Sequence, residues 1–332
     1  MAWIDSIKSQ IKNKNIKIVF PEAEDLRILT ASETIKKEKL GIPLLIGNPE
    51  KIHSIAKENN IDISEIEIIN PSSSPLKEKF IENYYELRKH KGISPQTAEK
   101  IILDTLFFGA MLVAEKKADC YVAGCANSTA NVLRAAIPII KPEKGTKTIS
   151  SSTIHILNNT SIGENGIMFF SDTGVIPEPD TEQLSDIAVS AGKKWEKIIK
   201  TPAKVAMLSF STKGSAQHPL VNKIVKATAL AKQKAPEMLI DGEMQLDAAV
   251  IPEIGKYKAK QNPVAGQANI LIFPDLNSGN IAYKLIERLG NTIAYGPILQ
   301  GMSKPCSDLS RGCSAQDIID VSAIVIAECL EN

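Results

Sequence analysis

Short runs of β-branched and aromatic residues alternate with longer stretches in which apolar side chains recur every three to four positions. Residues 16–20, 42–46, 66–69, 119–122, 148–151, 167–170, 205–210, 269–273 and 292–295 read as buried strands, since near-continuous apolarity fits a strand covered on both faces. Residues 25–37, 76–89, 97–116, 181–199, 220–234 and 278–289 carry helical spacing, and the third of these reads as one long helix. A further apolar helix closes the chain after residue 314. Strands alternating with helices of this length predict βαβ units, largely parallel sheets and the α/β class. Pro142 and Gly145 interrupt the pattern, which puts a hinge within residues 141–150 and predicts two α/β domains. The prolines and serines of residues 71–75 read as a surface loop.

Composition narrows the classes. The 332 residues hold 39 Lys+Arg against 38 Asp+Glu, a formal charge of +1, which argues against nucleic acid as a partner because phosphate-backbone binding needs uncompensated basic clusters. At 43% hydrophobic and 23% charged residues, the chain has a globular balance. No apolar run approaches the roughly 18 residues of a membrane span, so no membrane association is expected. The first twenty residues carry Asp5, Lys8, Lys12, Lys14 and Lys17 without a signal-like apolar stretch. Five cysteines, an odd number, suggest reduced thiols and a cytoplasmic location.

Several familiar motifs are absent. There is no G-x-G-x-x-G, and residues 296–303 have Walker A glycine spacing but place Met302 where the phosphate-binding lysine belongs. Neither H-E-x-x-H, C-x-x-C nor G-x-S-x-G occurs, and His53, His90, His155 and His218 are scattered. Neither a metal site nor a tightly held cofactor is expected.

Arginine usage points the other way. Only Arg27, Arg88, Arg134, Arg288 and Arg311 are Arg among the 39 basic residues. Arg offers a planar fork that grips phosphate or carboxylate, where Lys is a point charge. Each alone is better read as an ordinary surface ion pair; together they suggest an anionic, phosphorylated ligand.

The densest polar cluster, residues 308–317, joins Ser310, Arg311, Gly312, Cys313 and Asp317 just before the final helix. A helix N-terminus suits a phosphate or a developing oxyanion. Equally, Ser314 followed by Asp317 is a capping-box pattern, and the local sequence leaves Asp317 open between cap and catalyst. Cys313 reads as a packing residue, with only Arg311 near in sequence to lower its pKa. Residues 209–215 lie between strand and helix and read as an anion nest or an ordinary turn. Ser128 and Thr129 begin the helix carrying Arg134 and invite the same two readings; Lys284 meets a phosphate or is solvated.

Taken in order, these segments resemble the phosphate acetyltransferase family, nearly end to end. The resemblance rests on Phe20-Pro-Glu-Ala-Glu-Asp-Leu-Arg27, Tyr85-Glu-Leu-Arg-Lys-His-Lys-Gly92 and Val122-Ala-Gly-Cys-Ala-Asn-Ser-Thr-Ala-Asn-Val-Leu-Arg134. It continues through Met207-Leu-Ser-Phe-Ser-Thr-Lys-Gly-Ser215, Asp241-Gly-Glu-Met-Gln-Leu-Asp-Ala-Ala249 and Phe273-Pro-Asp-Leu-Asn-Ser-Gly-Asn280. Gly296-Pro-Ile-Leu-Gln-Gly301 and Asp308-Leu-Ser-Arg-Gly-Cys313 complete it.

The resemblance implies acetyl-CoA + phosphate ⇌ acetyl phosphate + CoA, with coenzyme A as co-substrate. It implies an isocitrate/isopropylmalate dehydrogenase-like fold with the active-site cleft between two domains, residues 1–146 plus 300–332 and residues 147–299, in a homodimer. By resemblance, Asp317 is the base for the CoA thiol, Ser310 hydrogen-bonds that thiol and Arg311 holds phosphate. Arg88 and Arg134 match further active-site arginines, and Arg27 and Arg288 match arginines tied to CoA binding. After Ser152 the sequence departs from the family's apolar run, with Thr153-Ile-His155 intervening. His155 belongs to the cleft wall or faces solvent, which leaves acyl preference open. The close alternative is a phosphate butyryltransferase, since one methylene is worth only about 1–3 kcal/mol of discrimination. A non-catalytic acyl-CoA-sensing module is the other, opposed by the joint retention of Ser310, Arg311 and Asp317. A dehydrogenase of the related fold lacks a metal-binding carboxylate cluster here.

Overall fold

The computed structural model describes residues 2–330. It divides into two compact units, one formed by everything up to Glu143 together with everything from Met302 onward, the other by Lys144–Gly301. The first unit runs α1 (Ala2–Ile11), β1 (Lys17–Phe20), α2 (Leu26–Lys37), β2 (Ile42–Ile46), α3 (Pro49–Glu58), β3 (Glu67–Ile69) and α4 (Lys77–Arg88). It continues with α5 (Pro95–Ile102), α6 (Thr105–Ala114), β4 (Cys120–Ala123) and α7 (Thr129–Ile140). The second unit holds β5 (Ser150–Ile156), β6 (Ile167–Ser171), α8 (Thr181–Ile199), β7 (Lys204–Leu208), α9 (Pro219–Lys234), β8 (Leu239–Met244) and α10 (Leu246–Val250). After α11 (Pro252–Lys258), β9 (Ile270–Ile272), α12 (Leu276–Leu289) and β10 (Ile293–Gln300), the chain returns to the first unit as β11 (Cys306–Asp308) and α13 (Ala315–Cys329).

In the first unit the strands lie in the order β3-β2-β1-β4-β11, every pair parallel. The central strands are sealed: Ile18, Val19, Phe20, Cys120, Tyr121, Val122 and Ala123 are all fully buried. That two-sided cover is why they read as continuous apolar runs. α13 packs on α1, α2 and β4, while α6 packs on α7, β1 and β4. Leu106–Val113 of α6 are buried without exception, the mark of a helix apolar all round.

The helix expected over 97–116 is two helices. Asp104 takes an extended conformation and its side chain accepts the Leu106 N–H, so it N-caps α6 and stops α5. Apolar spacing runs through the break and hides it.

In the second unit the order is β10-β5-β6-β9-β7-β8. β6, β9, β7 and β8 are parallel, whereas β5 runs antiparallel to both β6 and β10. β5 extends beyond the expected 148–151 because its polar residues are buried in pairs. Gln300 Oε1 accepts from Ser152 Oγ at 2.7 Å, and Gln300 Nε2 donates to Ser150 Oγ at 2.7 Å. Ser152 and Ser171 also share a hydroxyl contact.

His155, left between a cleft wall and solvent, is a core residue with no exposure. Its ring centroid lies 4.4 Å from that of Phe170 with the planes tilted by 38°, Nε2 meets Thr153 Oγ1 at 3.0 Å, and Nδ1 is buried without a partner. Burial pushes its pKa down to about 4, so the imidazole is neutral at pH 7.

Candidate active site

β1, β4 and β11 are parallel neighbours in the first unit. The loops leaving them, residues 21–25, 124–128 and 309–314, therefore emerge at one edge, the edge where open α/β sheets take ligands. Two side chains tie these loops together.

Glu22 is buried and gathers the second loop. Its Oε2 accepts the N–H groups of Gly124 at 2.7 Å and Cys125 at 3.0 Å; its Oε1 accepts Ala126 N–H at 3.0 Å and Asn127 Nδ2 at 2.9 Å. Gly124 has φ +112, and a Cβ there would lie 2.5 Å from Asp308 Oδ1 and from the Leu309 carbonyl, so glycine is required.

Arg27, at the start of α2, binds the second and third loops from within. Its Nε donates to Asp25 Oδ1 at 2.9 Å. Nη2 donates to Asp25 Oδ2 and to the Cys125 carbonyl, both at 2.7 Å. Nη1 donates to the carbonyls of Arg311 at 2.8 Å and Cys313 at 2.9 Å. The Asp25 hydrogen bond lowers that carboxyl's pKa and raises that of the guanidinium.

The third loop is a tight turn. Cys313 N–H donates to the Ser310 carbonyl at 3.0 Å, and Ser310 Oγ accepts Gly312 N–H at 3.3 Å. Ser310 and Arg311 are exposed at its tip. Cys313 is buried beneath, and burial raises its thiol to about 11, which suits packing and not nucleophilic attack. α13 then opens with a capping box: Asp317 Oδ2 accepts Ser314 N–H at 2.8 Å and Ser314 Oγ–H at 2.9 Å. Ser314 Oγ in turn accepts the Asp317 N–H at 3.1 Å; the cap is real, and of the two carboxylate oxygens it uses Oδ2.

Ser128 N-caps α7, accepting Asn131 N–H at 3.3 Å, and the neighbouring Thr129 side chain acts to lower the pKa of the Asp308 carboxyl at the end of β11. Farther along α7, Arg134 Nη2 donates to Asn131 Oδ1 at 2.8 Å. Burial raises the pKa of the Tyr84 hydroxyl, opposed by the charges of Arg88 on the same helix and of Arg134. Arg88 Nε is buried without a hydrogen-bond partner, a charged donor left for an anion.

The first unit thus joins Arg27 to the segment bearing Ser310, Arg311 and Asp317, sets Arg88 and Arg134 on Tyr84 and Thr129 on Asp308, while Ser128 caps α7. Lys284 and Arg288 belong to the second unit and are exposed on α12. Lys284 Nζ lies 5.6 Å from the Tyr283 ring centroid, and Arg288 lies 3.4 Å from Glu287. The loop at residues 209–215 is no open nest: Ser211 Oγ and Gly214 N–H both donate to Glu243 Oε1, at 2.9 and 2.8 Å.

Glu22, Asp308 and Tyr84 were not singled out from sequence. Tyr84 had a readable signal, four positions before Arg88 on one helix face. Glu22 stands just past the buried apolar β1 and Asp308 ends the short, polar β11, places where a buried carboxyl needs a partner that sequence does not name.

The class this architecture defines is an α/β protein with ligand-directed loops at a parallel sheet edge. A 4-hydroxythreonine-4-phosphate dehydrogenase from Klebsiella pneumoniae shares that fold, aligning over 95% of this chain and 99% of its own at TM-score 0.53 and 10% identity. Far nearer is a phosphotransacetylase from Streptococcus pyogenes, with TM-score 0.93 and 40% identity over 100% of this chain and 99% of that one. A phosphate acetyltransferase of Acetivibrio thermocellus is 46% identical over 328 residues, 99% of this chain and 98% of the relative. The family profile described as Phosphate acetyl/butaryl transferase matches residues 2–326. The chain belongs to that family.

Proposed function

We propose that the chain reversibly transfers an acetyl group between coenzyme A and inorganic phosphate. The observation that carries this reading is the 310–313 turn: a hydroxyl and a guanidinium exposed together at the C-terminal edge of a parallel sheet, with a carboxylate four residues beyond in the first turn of α13. Family membership supplies the reaction class.

A thiol such as that of CoA has a pKa near about 8.5, so only a few per cent is thiolate at neutral pH. Asp317 Oδ1, the oxygen outside the cap, takes the thiol proton while Ser310 orients the sulfur. The sulfur then bonds to the carbonyl carbon of acetyl phosphate, the bond from that carbon to the phosphate oxygen breaks, and phosphate leaves bearing the electron pair. Arg311, with Arg88 and Arg134, holds the phosphoryl group in a near-attack pose and offsets its charge. Ser128 and Thr129 at the start of α7 add N-terminal donors, and Lys284 and Arg288 meet the phosphates of CoA. Coenzyme A is a co-substrate, and no metal takes part in these steps. The two units are the family's two domains. Five free thiols suit a reducing, cytoplasmic setting. The chain pairs with a second copy through α12, where Ile281, Leu285 and Leu289, 61%, 56% and 81% exposed, form one apolar line.

The test is CoA-dependent phosphate release from acetyl phosphate, with butyryl phosphate in parallel. Asp317→Asn is expected to lower kcat by about 10²–10⁴-fold with little change in KM, and the amide oxygen can keep the cap. Unchanged turnover removes the base. Preference for butyryl phosphate changes the acyl group and keeps the mechanism. Binding of CoA without any turnover marks a sensing module.

A further inference from the structure

Among the arginines of the first unit, Arg27 stands apart. A guanidinium has five N–H bonds, and all five of Arg27 meet protein oxygens. No donor is left for a ligand, and the Asp25 carboxylate 2.7 Å away neutralises the charge an anion would seek. Arg288 is the opposite case: its side chain is 72% exposed, with Glu287 at 3.4 Å.

We propose that Arg27 is a positioning residue for the 310–313 turn and does not bind coenzyme A. Resting on the acetyltransferase reading, this separates the two arginines that the family resemblance puts together. Its acceptors explain how it acts. The carbonyls of Arg311 and Cys313 point inward to Nη1, which turns that stretch of backbone toward α2. The Cys125 carbonyl anchors the same guanidinium to the loop after β4. Ser310 and Arg311 are left at the surface on a backbone pinned from beneath, and Asp25 holds the fork in its plane through two parallel bonds. Lys cannot replace this: one nitrogen cannot reach acceptors spread around a planar fork.

The experiment combines three readouts. Arg27→Lys is expected to lower kcat by roughly 10²-fold, the scale of a displaced reacting group. The factor is the same with CoA, 3′-dephospho-CoA and pantetheine, because the defect lies in the turn. A loss confined to KM for CoA that vanishes with pantetheine overturns the proposal. Arg288→Lys, assayed alongside, is expected to show that second pattern.

Asp25→Asn breaks the fork while Asn keeps the N-cap of α2. Positioning predicts a fall in kcat with no gain in CoA affinity. If Arg27 bound CoA, releasing it from Asp25 would lower KM for CoA, and that result refutes the idea.

Timed alkylation with N-ethylmaleimide, read by peptide mass spectrometry, needs no activity. Cys313 is buried with Sγ 3.9 Å from Nη1. It is expected to label several-fold faster in Arg27→Lys than in wild type, and equal rates overturn the proposal. If wild type fails to turn over acetyl phosphate with CoA, the acetyltransferase reading falls while labelling still decides what Arg27 does.

Discussion

Asp308 offers a sharp test of the electrostatics at the sheet edge. It ends β11 at 3% exposure, and its Oδ1 is buried without a hydrogen-bond partner. Burial, opposed by Thr129 and aided by the charge of Glu22, raises its carboxyl from 3.8 to about 6. The unfolded carboxyl loses its proton near 3.8, the folded one near 6, so between those values the folded state holds the extra proton. Stability is greatest below the window and is lost as pH rises through it. The rise from 3.8 to about 6 makes the loss about 3 kcal/mol.

Asp308→Asn stays neutral at every pH and keeps nearly the same shape. Its stability should match wild type near pH 4 and exceed it by up to about 3 kcal/mol at pH 7.5. Urea unfolding of both proteins from pH 4.5 to 7.5 measures the gap, and amide exchange in β4 and β11 assigns it to the first unit. A gap that is constant with pH, or one that opens toward acid, refutes the reasoning.

Two further predictions follow from geometry. Glu22→Ala strands three backbone N–H groups and the Asn127 amide, and at about 1–3 kcal/mol for each unpaired buried donor it is expected to destabilise the first unit severely; a loss below about 1 kcal/mol in urea unfolding would show that water replaces the carboxylate. Leu285→Glu on the apolar line of α12 is expected to halve the mass seen by light scattering, from about twice 36.0 kDa to 36.0 kDa; wild type already at the lower mass would refute pairing through this face.

Some elements were legible to the residue. β2 is as read, and so is α8, because Asp180 and Gln183 form its capping box and Lys200 ends it in a left-handed conformation. Others were hidden for physical reasons. β8 holds Asp241, Gly242 and Glu243, polar residues that a sheet buries only with partners: Lys213 and Lys232 on Asp241, Ser211 and Gly214 on Glu243. β11 is three residues long, with Ser307 and Asp308 buried inside it, too short and too polar for periodicity to register. The polar zipper of β5 escaped notice because its partner Gln300 lies 148 and 150 positions away.

Within the candidate site, what lies close in sequence could be read there. The scarcity of arginine, the exposed Ser310–Arg311 pair and the Ser314–Asp317 cap are local patterns, since helix geometry brings residues three apart together wherever the helix forms. The role of each charge is another matter. Arg27 reaches carbonyls 98, 284 and 286 positions away, and Glu22 collects donors 102 to 105 positions away. Those acceptors and donors exist as a set only once β1, β4 and β11 align in parallel and bring three loops to one edge. A hydrogen bond is short and directional, so the side chain's identity announces its capacity, and the tertiary structure alone decides what fills it.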